Sequence, residues 1–256
     1  MKNRDAFQVF QLVQTRRENR TTNSLVFNKP LIDAQPGQFV MVWLPDIGEK
    51  PYSILNNEPF SFAVASVGPF SEALNSLGIG SRVWARGPFG CGFRLDGRRH
   101  LMVGGGYGAA PLLFLARQAR GRKDEVEVCL GARSAGDVLM ADAFYELGCE
   151  VRITTEDGSL GEKGKVTQAL DLALHHKGAD SLYACGPVAM LSALAEIARQ
   201  KNIAAQLSWE AQMRCGIGLC GSCELEEEVR IAAGIPKGWL TCKDGPVYIS
   251  IPLLSK

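Results

Sequence analysis

The carboxyl-terminal part of the sequence holds the residues whose types and spacing point most directly to chemistry. Cys215, Cys220 and Cys223 follow one another as C-x4-C-x2-C, and Cys242 lies further along the chain. This is the spacing of plant-type [2Fe–2S] ligation, in which thiolates from one compact loop converge on two irons. A structural zinc site and free thiols are the alternatives, but zinc usually takes two close pairs and only one C-x2-C pair is present. We therefore predict that these four cysteines bind a [2Fe–2S] cluster.

A glycine-rich loop near the middle of the chain is a candidate dinucleotide site. Gly104, Gly105, Gly106, Gly108 and Ala109 follow an apolar segment that reads as a strand and precede a segment that reads as a helix. Glycines permit a tight turn there, and phosphates can meet free backbone N–H groups at the helix N-terminus. Alanine replaces the third glycine of the usual motif, so close packing without a ligand is the alternative.

A second turn of the same kind occurs at Cys185-Gly186-Pro187, again between a predicted strand and a predicted helix. Two such turns at neighbouring strand ends of one sheet favour a ligand crevice between them. The choice between NADH and NADPH stays open, because Arg133 and Ser134 could bind a 2′-phosphate or cap the following helix.

The tetrapeptide Lys50-Pro51-Tyr52-Ser53 is a third candidate, which we place at the end of a strand. The tyrosine ring could stack on a flavin and the serine hydroxyl could hydrogen-bond it, while the lysine could meet a phosphate. From these four residues alone, an ordinary barrel turn is an equal alternative.

Three stretches of different character position these motifs. Residues 1–98 contain short apolar runs between turn signals, which predicts a small antiparallel β-barrel with one short helix at 71–77. Residues 99–205 alternate strands and helices, which predicts a doubly wound parallel sheet. Residues 206–256 are irregular and hold the clustered cysteines. The predicted fold class is therefore β + α/β: a barrel domain, a parallel-sheet nucleotide domain and a small C-terminal [2Fe–2S] module.

Composition excludes several classes of protein. Lys and Arg number 28 against 27 Asp and Glu, and this balance argues against a general nucleic-acid binder. The apolar fraction of 46% is too high for a mainly disordered chain. Glycines and a proline interrupt the most apolar stretch, residues 101–116, which is shorter than the roughly 20 residues that cross a bilayer. We predict a cytoplasmic protein without membrane insertion, in which thiols stay reduced.

The motifs occur in an order that resembles the ferredoxin–NADP reductase superfamily and, within it, the family of iron–sulfur electron-transfer subunits of dihydroorotate dehydrogenase. The resemblance covers nearly the whole chain. The matching segments are residues 50–53 (R-P-x-S in the family), 87–93 (G-P-L-G-x-G-F), 104–111 (G-G-G-x-G-x-x-P), 157–161 (D-G-S-x-G), 185–187 (C-G-P), 213–223 and 242–247. The cysteine segment is the most specific of these. Lys50 replaces the family's arginine, so a bidentate phosphate contact becomes a point charge.

The resemblance implies FAD in the barrel domain, NAD(H) in the nucleotide domain and the cluster in the last module. In this resemblance Ser53 hydrogen-bonds near the flavin N5 and Tyr52 holds the ring, as the two candidate catalytic residues. The cofactor-binding candidates are Lys50, Pro51, Tyr52, Ser53, Val64, Ala65, Ser66, Phe70 and Ser71 for FAD, and Gly104, Gly105, Gly106, Gly108, Ala109, Cys185, Gly186 and Pro187 for NAD(H).

The function implied by the resemblance is conversion between two-electron and one-electron transfer, with nicotinamide, flavin and cluster in sequence. The implied partner is an FMN-containing catalytic dihydroorotate dehydrogenase subunit in a 2+2 heterotetramer of pyrimidine biosynthesis. One alternative is an NAD(P)H diaphorase subunit of a hydrogenase, sulfide dehydrogenase or sulfite reductase. Another is an iron–sulfur relay that has lost its flavin.

Overall fold

The computed structural model of the protein describes residues 4–250. The outermost residues of the first and last predicted domains, 1–3 and 251–256, lie outside this range. The strands are β1 (Gln8–Arg17), β2 (Thr22–Phe27), β3 (Phe39–Leu44), β4 (Gly48–Asn57), β5 (Phe60–Ala65), β6 (Arg82–Phe89), β7 (Arg99–Gly105), β8 (Glu125–Ala132), β9 (Glu150–Thr155), β10 (Glu162–Lys163), β11 (Ser181–Cys185), β12 (Ala205–Ser208) and β13 (Val247–Ser250). The helices are α1 (Pro69–Asn75), α2 (Ala109–Gly121), α3 (Ala141–Glu146), α4 (Val166–His176), α5 (Val188–Gln200) and α6 (Glu227–Ala232).

The first six strands close into an antiparallel barrel in the order β1-β2-β5-β4-β3-β6. Side chains alternate between the two faces of a strand, so every second residue of these strands points inward. Phe10, Phe27, Phe60 and Phe62 meet there, with neighbouring ring centroids 4.8–6.1 Å apart. The predicted barrel is confirmed.

Strand β4 has no counterpart among the apolar runs of the sequence, because most of its residues are polar or half-buried. The tetrapeptide 50–53 lies inside this strand, so the prediction that it ends a strand is wrong. Over this stretch the described pairing of β4 is with β3, and its pairing with β5 begins at Ile54. A proline is tolerated in a strand where one side carries no ladder, which explains Pro51.

The second sheet has seven strands in the order β10-β9-β8-β7-β11-β12-β13. All of its described pairs are parallel except β12 with β13. Separate apolar clusters cover its two faces: α2 and α3 contribute to one, α4 and α5 to the other. The doubly wound nucleotide domain is therefore confirmed.

The C-terminal segment shares this sheet instead of standing apart from it. Strand β12 lies across the boundary drawn at residue 205, and β13 pairs with it in an antiparallel register from Ala205↔Ser250 to Ser208↔Val247. Between them the described chain is irregular apart from α6 and two isolated bridges, Glu224↔Leu240 within the segment and Cys91↔Pro246 to the first stretch of the chain. Among residues 4–250, no helix has the length and apolar character that crossing a membrane requires.

Candidate functional site

The three parts of the chain meet around one cavity of about 560 Å³. The predicted site residues that line it are Lys50, Pro51, Tyr52, Ser53, Ala65, Phe70, Ser71, Gly108, Cys185 and Gly186. Lining residues from the glycine loop and the C-terminal segment that were not among the predicted site residues include Tyr107, Trp209, Glu210 and Met213. The cavity thus joins the flavin tetrapeptide, both glycine turns and the approach to the cysteine loop.

The cavity lies beside the part of β4 that precedes Ile54, where β4 and β5 of the closed barrel are not paired. Tyr52 and Ser53 pair with Val40 and Phe39 of β3 and leave the other edge of β4 facing the cavity. Across the gap, Ala63 and Ala65 present small side chains. A slot with a strand edge on one side and small side chains on the other suits a flat ring system, so these residues fit a flavin.

Tyr52 forms an aromatic wall of this slot. Its ring centroid lies 5.1 Å from that of Phe62 and 6.3 Å from that of Phe70, with both pairs stacked. Burial raises the pKa of Tyr52 to about 12, so the hydroxyl stays protonated at neutral pH. Phe70 itself also lines the cavity.

The second predicted flavin segment is only partly at the cavity. Val64 is fully buried in the barrel core, and the Ser66 hydroxyl accepts a hydrogen bond from Asn75 Nδ2 at 2.8 Å. The Ser71 hydroxyl accepts hydrogen bonds from the backbone N–H groups of Val67 and Gly68, at 2.9 and 3.1 Å. Two N–H groups beside the slot are therefore already satisfied.

The two glycine turns face each other at the point where the order of the strands reverses. Gly104 at the end of β7 pairs with Cys185 at the end of β11, and crevices at such switch points bind ligands in open α/β sheets. A Cβ on Gly108 would overlap the backbone carbonyl of Cys185, and one on Gly105 would lie 2.7 Å from Met190 Sδ. Close packing therefore accounts for these two glycines.

The other members of the glycine turns lie behind the cavity wall. Gly106 has a φ of +53°, and nothing lies within 4 Å of the position that a Cβ would take, so its backbone conformation and not its packing favours glycine there. Ala109 begins α2 and is buried, and Pro187 precedes α5. The structure thus places Gly108, Cys185 and Gly186 in the cavity lining and the remaining five predicted nucleotide residues next to it.

A contact across the cavity links the glycine loop to the C-terminal segment. Tyr107 Oη donates to the carboxylate of Glu210, with distances of 3.3 and 3.2 Å to its two oxygens. Burial, followed by the charge of Glu210, raises the pKa of Tyr107 to about 12. The available sequence signal was the position of Glu210, two residues after the carboxyl end of β12.

The four predicted metal ligands come together in two pairs. Cys223 Sγ and Cys242 Sγ lie 3.3 Å apart, while the side chains of Cys215 and Cys220 are within hydrogen-bonding distance of each other. Backbone N–H groups point at the sulfurs: that of Gly218 lies 3.1 Å from Cys242 Sγ, and that of Leu219 lies 3.3 Å from Cys215 Sγ.

The intervening glycines make this loop possible. Gly216, Gly218 and Gly221 have φ angles of +75°, +78° and +72°, a region that residues with a Cβ rarely adopt. Their conformation turns the backbone N–H groups inward, and such hydrogen bonds to sulfur tune an iron–sulfur centre.

The thiols differ in acidity. Hydrogen bonds from the Ser222 hydroxyl and backbone lower the pKa of Cys220 to about 6. Burial raises the pKa of Cys215, but backbone N–H groups lower it further than burial raises it. Burial and the Cys223 thiol raise the pKa of Cys242 to about 12. Metal binding must therefore displace a proton from Cys242.

The pairing fits a two-iron cluster. Each iron of a plant-type centre takes two of the four thiolates, whereas a structural zinc takes four ligands on one ion. The four cysteines form two pairs, which matches two irons with two thiolates each.

The comparisons with known proteins agree with this geometry. The iron–sulfur cluster binding domain of dihydroorotate dehydrogenase B matches residues 210–250, and the oxidoreductase NAD-binding domain matches residues 102–196. A Thermococcus kodakarensis protein named as a probable dihydroorotate dehydrogenase B (NAD(+)), electron transfer subunit, is 41% identical over 85% of this chain and 85% of its own. The chain belongs to the dihydroorotate dehydrogenase B electron transfer subunit family.

Further relatives extend the match along the chain. A Methanothermobacter thermautotrophicus member of the dihydroorotate dehydrogenase B family with the same name is 34% identical over 96% of this chain and 91% of its own. A solved NADH-dependent reduced ferredoxin–NADP oxidoreductase, studied for flavin-based electron bifurcation, superposes with a TM-score of 0.81 at 26% identity, over 94% of this chain and 88% of that one. The flavohem-like FAD/NAD binding domain of a Vibrio cholerae nitric oxide dioxygenase, at 19% identity and a TM-score of 0.68, shares the fold, with 77% of this chain and 94% of that one covered. The family resemblance inferred from the motifs is confirmed.

Proposed function

We propose that this protein passes electrons between NAD and a partner flavoenzyme as the electron-transfer subunit of a dihydroorotate dehydrogenase B. The shared cavity is the observation that carries the proposal. Tyr52 and Ser53, Gly108 and Cys185 all line it, and so does Met213, two residues before the first cluster cysteine. One cavity thus gives a flavin access to a nicotinamide on one side and to the cluster loop on the other.

The cofactors supply the redox chemistry, since a flavin takes up a hydride and can give up single electrons, whereas a [2Fe–2S] cluster accepts one electron at a time. The chain's own residues bind and orient these groups. Tyr52 and Phe70 wall the slot and keep water from its aromatic side, and the Ser53 hydroxyl is a hydrogen-bond donor for the flavin edge. Lys50 supplies a positive charge for a phosphate.

In this proposal the two glycine turns bind NAD(H). Gly108 and the start of α2 bring the positive end of a 13-residue helix to the cavity, where a pyrophosphate is favoured. Gly186 opens the facing turn. We infer that NAD(H) lies across both turns with its nicotinamide toward Ser53.

The proposed partner is an FMN-containing catalytic dihydroorotate dehydrogenase subunit in a 2+2 heterotetramer of pyrimidine biosynthesis. The family assignment supports this partner. We propose a cytoplasmic location, supported by eight cysteines that are all unpaired in the described part of the chain. The proposal includes no nucleic-acid partner and no insertion into a membrane.

A second candidate is the NAD(P)H-oxidising subunit of a different electron-transfer complex. The similarity to the NADH-dependent reduced ferredoxin–NADP oxidoreductase over 94% of the chain favours keeping it. The partner that co-purifies with the protein decides between the two. An FMN enzyme that oxidises dihydroorotate supports the first proposal, and any other redox partner supports the second.

The deciding experiment is anaerobic purification with the partner, followed by iron, zinc and flavin analysis and rapid mixing with NADH. We expect iron and extractable FAD. Cys220→Ser should abolish electron delivery to one-electron acceptors and leave flavin reduction by NADH largely intact. Cys91→Ser is the matched control, because Cys91 is also exposed but lies outside the cluster loop.

Three results would contradict the proposal. Zinc in place of iron removes the cluster, and an iron-containing protein without FAD identifies a flavin-less relay instead. Loss of flavin reduction in Cys220→Ser, with Cys91→Ser normal, would show that electrons do not reach the flavin first.

A further inference from the structure

An arginine on the outer face of the barrel connects the barrel to the cysteine loop. Arg86 lies on β6, and its Nη2 donates to the backbone carbonyl oxygen of Cys215 at 2.7 Å. This hydrogen bond holds the loop at its first cluster cysteine, although the two residues are 129 positions apart in the sequence.

A carboxylate fixes the orientation of this arginine. Glu49 accepts hydrogen bonds from Arg86 Nε at 2.6 Å and from Nη2 at 3.0 Å, as a two-pronged pair. The side chain of Arg86 is only 12% exposed and that of Glu49 only 22% exposed. A bidentate pair of this kind sets direction as well as distance, so the guanidinium is held in one place.

Two aromatic rings contact the guanidinium of Arg86. The Arg86 Cζ lies 5.4 Å from the centroid of Phe89 and 5.9 Å from that of Phe7. Phe89 also packs in the apolar cluster that contains Cys223 and Cys242. The charge of Arg86 therefore sits in a partly desolvated corner that adjoins both pairs of cysteines, where a charge acts more strongly than in water.

We propose that Arg86 is a positioning residue that anchors the cluster loop and raises the midpoint potential of the [2Fe–2S] cluster, with Glu49 orienting it and offsetting part of its charge. The inference rests on the cluster of the proposed function. Reduction adds one negative charge to the cluster, so a fixed positive charge at Cys215 stabilises the reduced form. Charge and hydrogen bonding near the sulfurs are recognised determinants of such potentials.

Two charge-removing substitutions should act in opposite directions. Arg86→Gln removes the positive charge and leaves the Glu49 carboxylate near the cluster, so the midpoint potential should become more negative. Glu49→Gln removes the carboxylate that is hydrogen-bonded to the guanidinium, while the charge of Asp5 still acts on it, so the potential should become more positive. A purely structural role would not produce shifts of opposite sign.

Two further variants separate the effect of the Arg86 charge from the effect of its hydrogen bonds. Arg86→Lys keeps the charge but loses the fork, so the potential should stay near that of the wild type while a chelator removes iron faster. Arg82→Gln is the matched control, since Arg82 is exposed on the same strand and on the same face as Arg86. It lies four residues away, about 13 Å at strand spacing, which exceeds the screening length of about 8–10 Å.

The measurement is a redox titration of the anaerobically purified complex, followed by the electron paramagnetic resonance signal of the reduced cluster, with iron content determined in parallel. For Arg86→Gln and Glu49→Gln we expect the reduction equilibrium of the cluster to change by at least threefold. Because a tenfold change corresponds to 59 mV for one electron, this is a shift of about 30 mV in the midpoint potential. Arg82→Gln should not shift.

The proposal is overturned if both charge-removing variants keep their iron and shift in the same direction or not at all. If Arg86→Gln loses the cluster, Glu49→Gln must still shift the potential to more positive values and Arg86→Lys must keep it near that of the wild type. Failure of either result overturns the proposal. A wild-type complex without iron would overturn the proposed function itself. Because iron is measured in the wild type first, this outcome is distinguished from a failure of the Arg86 proposal.

Discussion

The polar side chains around the cavity have different tasks because their surroundings differ. Tyr52 is half-buried between aromatic rings and stays neutral, since its pKa is about 12. Tyr107 is engaged by the carboxylate of Glu210. Ser53 stands at the strand edge where the barrel opens. Of these side chains, Ser53 is therefore the one that we propose as the hydrogen-bond donor to the reacting edge of the flavin.

Replacing Ser53 by alanine should slow hydride transfer from NADH to the flavin by about tenfold or more, because a donor placed where charge develops acts mainly in the transition state. Rapid mixing with NADH under anaerobic conditions measures this rate, and iron content should stay unchanged. Ser76→Ala, at the exposed end of α1, is the control. An unaltered rate in Ser53→Ala would remove Ser53 from the mechanism.

Site residues that belong to one contiguous motif could be predicted from the sequence, and those that depend on distant contacts could not. The cysteine loop carries its own spacing and its own glycines, which predicted Cys215, Cys220 and Cys223 as ligands together, whereas the pairing of Cys223 with Cys242 spans 19 residues and depends on the fold. Arg86 meets Glu49 from 37 residues away, and Tyr107 meets Glu210 across 103 residues. Arginines and glutamates are common on surfaces, and only the tertiary fold brings these particular pairs together.

At the scale of elements, the site depends on where the hydrogen-bonded pairing between β4 and β5 stops. The sequence predicted the barrel but not β4, because a polar strand that contains a proline lacks the apolar alternation that identifies strands. The same feature creates the slot, since the edge of β4 at residues 50–53 faces the cavity beside β5. The parallel sheet was easier to predict, because buried parallel strands are continuous apolar runs.

The contact between the end of β11 and the start of α2 gives an element-scale prediction. Gly108→Ala should destabilise the protein by about 1–3 kcal/mol, the usual range for overpacking, because its Cβ would overlap a backbone carbonyl that cannot move aside. Gly121→Ala, at the far end of the same helix, should be neutral or stabilising by up to about 1 kcal/mol, since nothing lies within 4 Å of its Cβ position. Urea unfolding of both variants checks the opposite signs, and equal losses of stability would contradict the packing argument.

At the scale of the whole molecule, the three stretches of sequence do not correspond to three independent bodies. Strand β13 comes from the C-terminal stretch and completes the nucleotide sheet. Phe114 of α2 packs in the barrel core, and Leu55 and Phe93, from the first stretch, pack in the core of the nucleotide domain. Sequence segments could be assigned from their periodicity, but this exchange of side chains depends on how the segments dock and leaves no periodic signal.

An apolar contact and an ion pair are among the contacts that hold the barrel against the nucleotide domain, and they should differ in their contribution to stability. Phe114 is 3% exposed in the barrel core, and truncating such a ring costs about 3–5 kcal/mol. Arg20 pairs with Asp137 at 3.0 Å, but the arginine side chain is 68% exposed, and surface ion pairs contribute about 0–1 kcal/mol. The apolar contact should therefore dominate.

Phe114→Ala should lower the free energy of unfolding by about 3–5 kcal/mol and Arg20→Ala by less than about 1 kcal/mol. Because Phe114 belongs to one domain and packs in the core of the other, its loss should also weaken their coupling. Urea unfolding is followed in parallel by helix circular dichroism and by tryptophan fluorescence, and both should give one coincident transition in the wild type. Tryptophan fluorescence reports Trp43 and Trp84 of the barrel together with Trp209 and Trp239 of the core shared with the nucleotide domain. Separate unfolding of the barrel in Phe114→Ala should therefore appear as a fluorescence step that the helix signal does not share. A single coincident transition in Phe114→Ala would contradict the coupling role of this ring, and a larger loss of stability in Arg20→Ala would contradict the ranking of the two contacts.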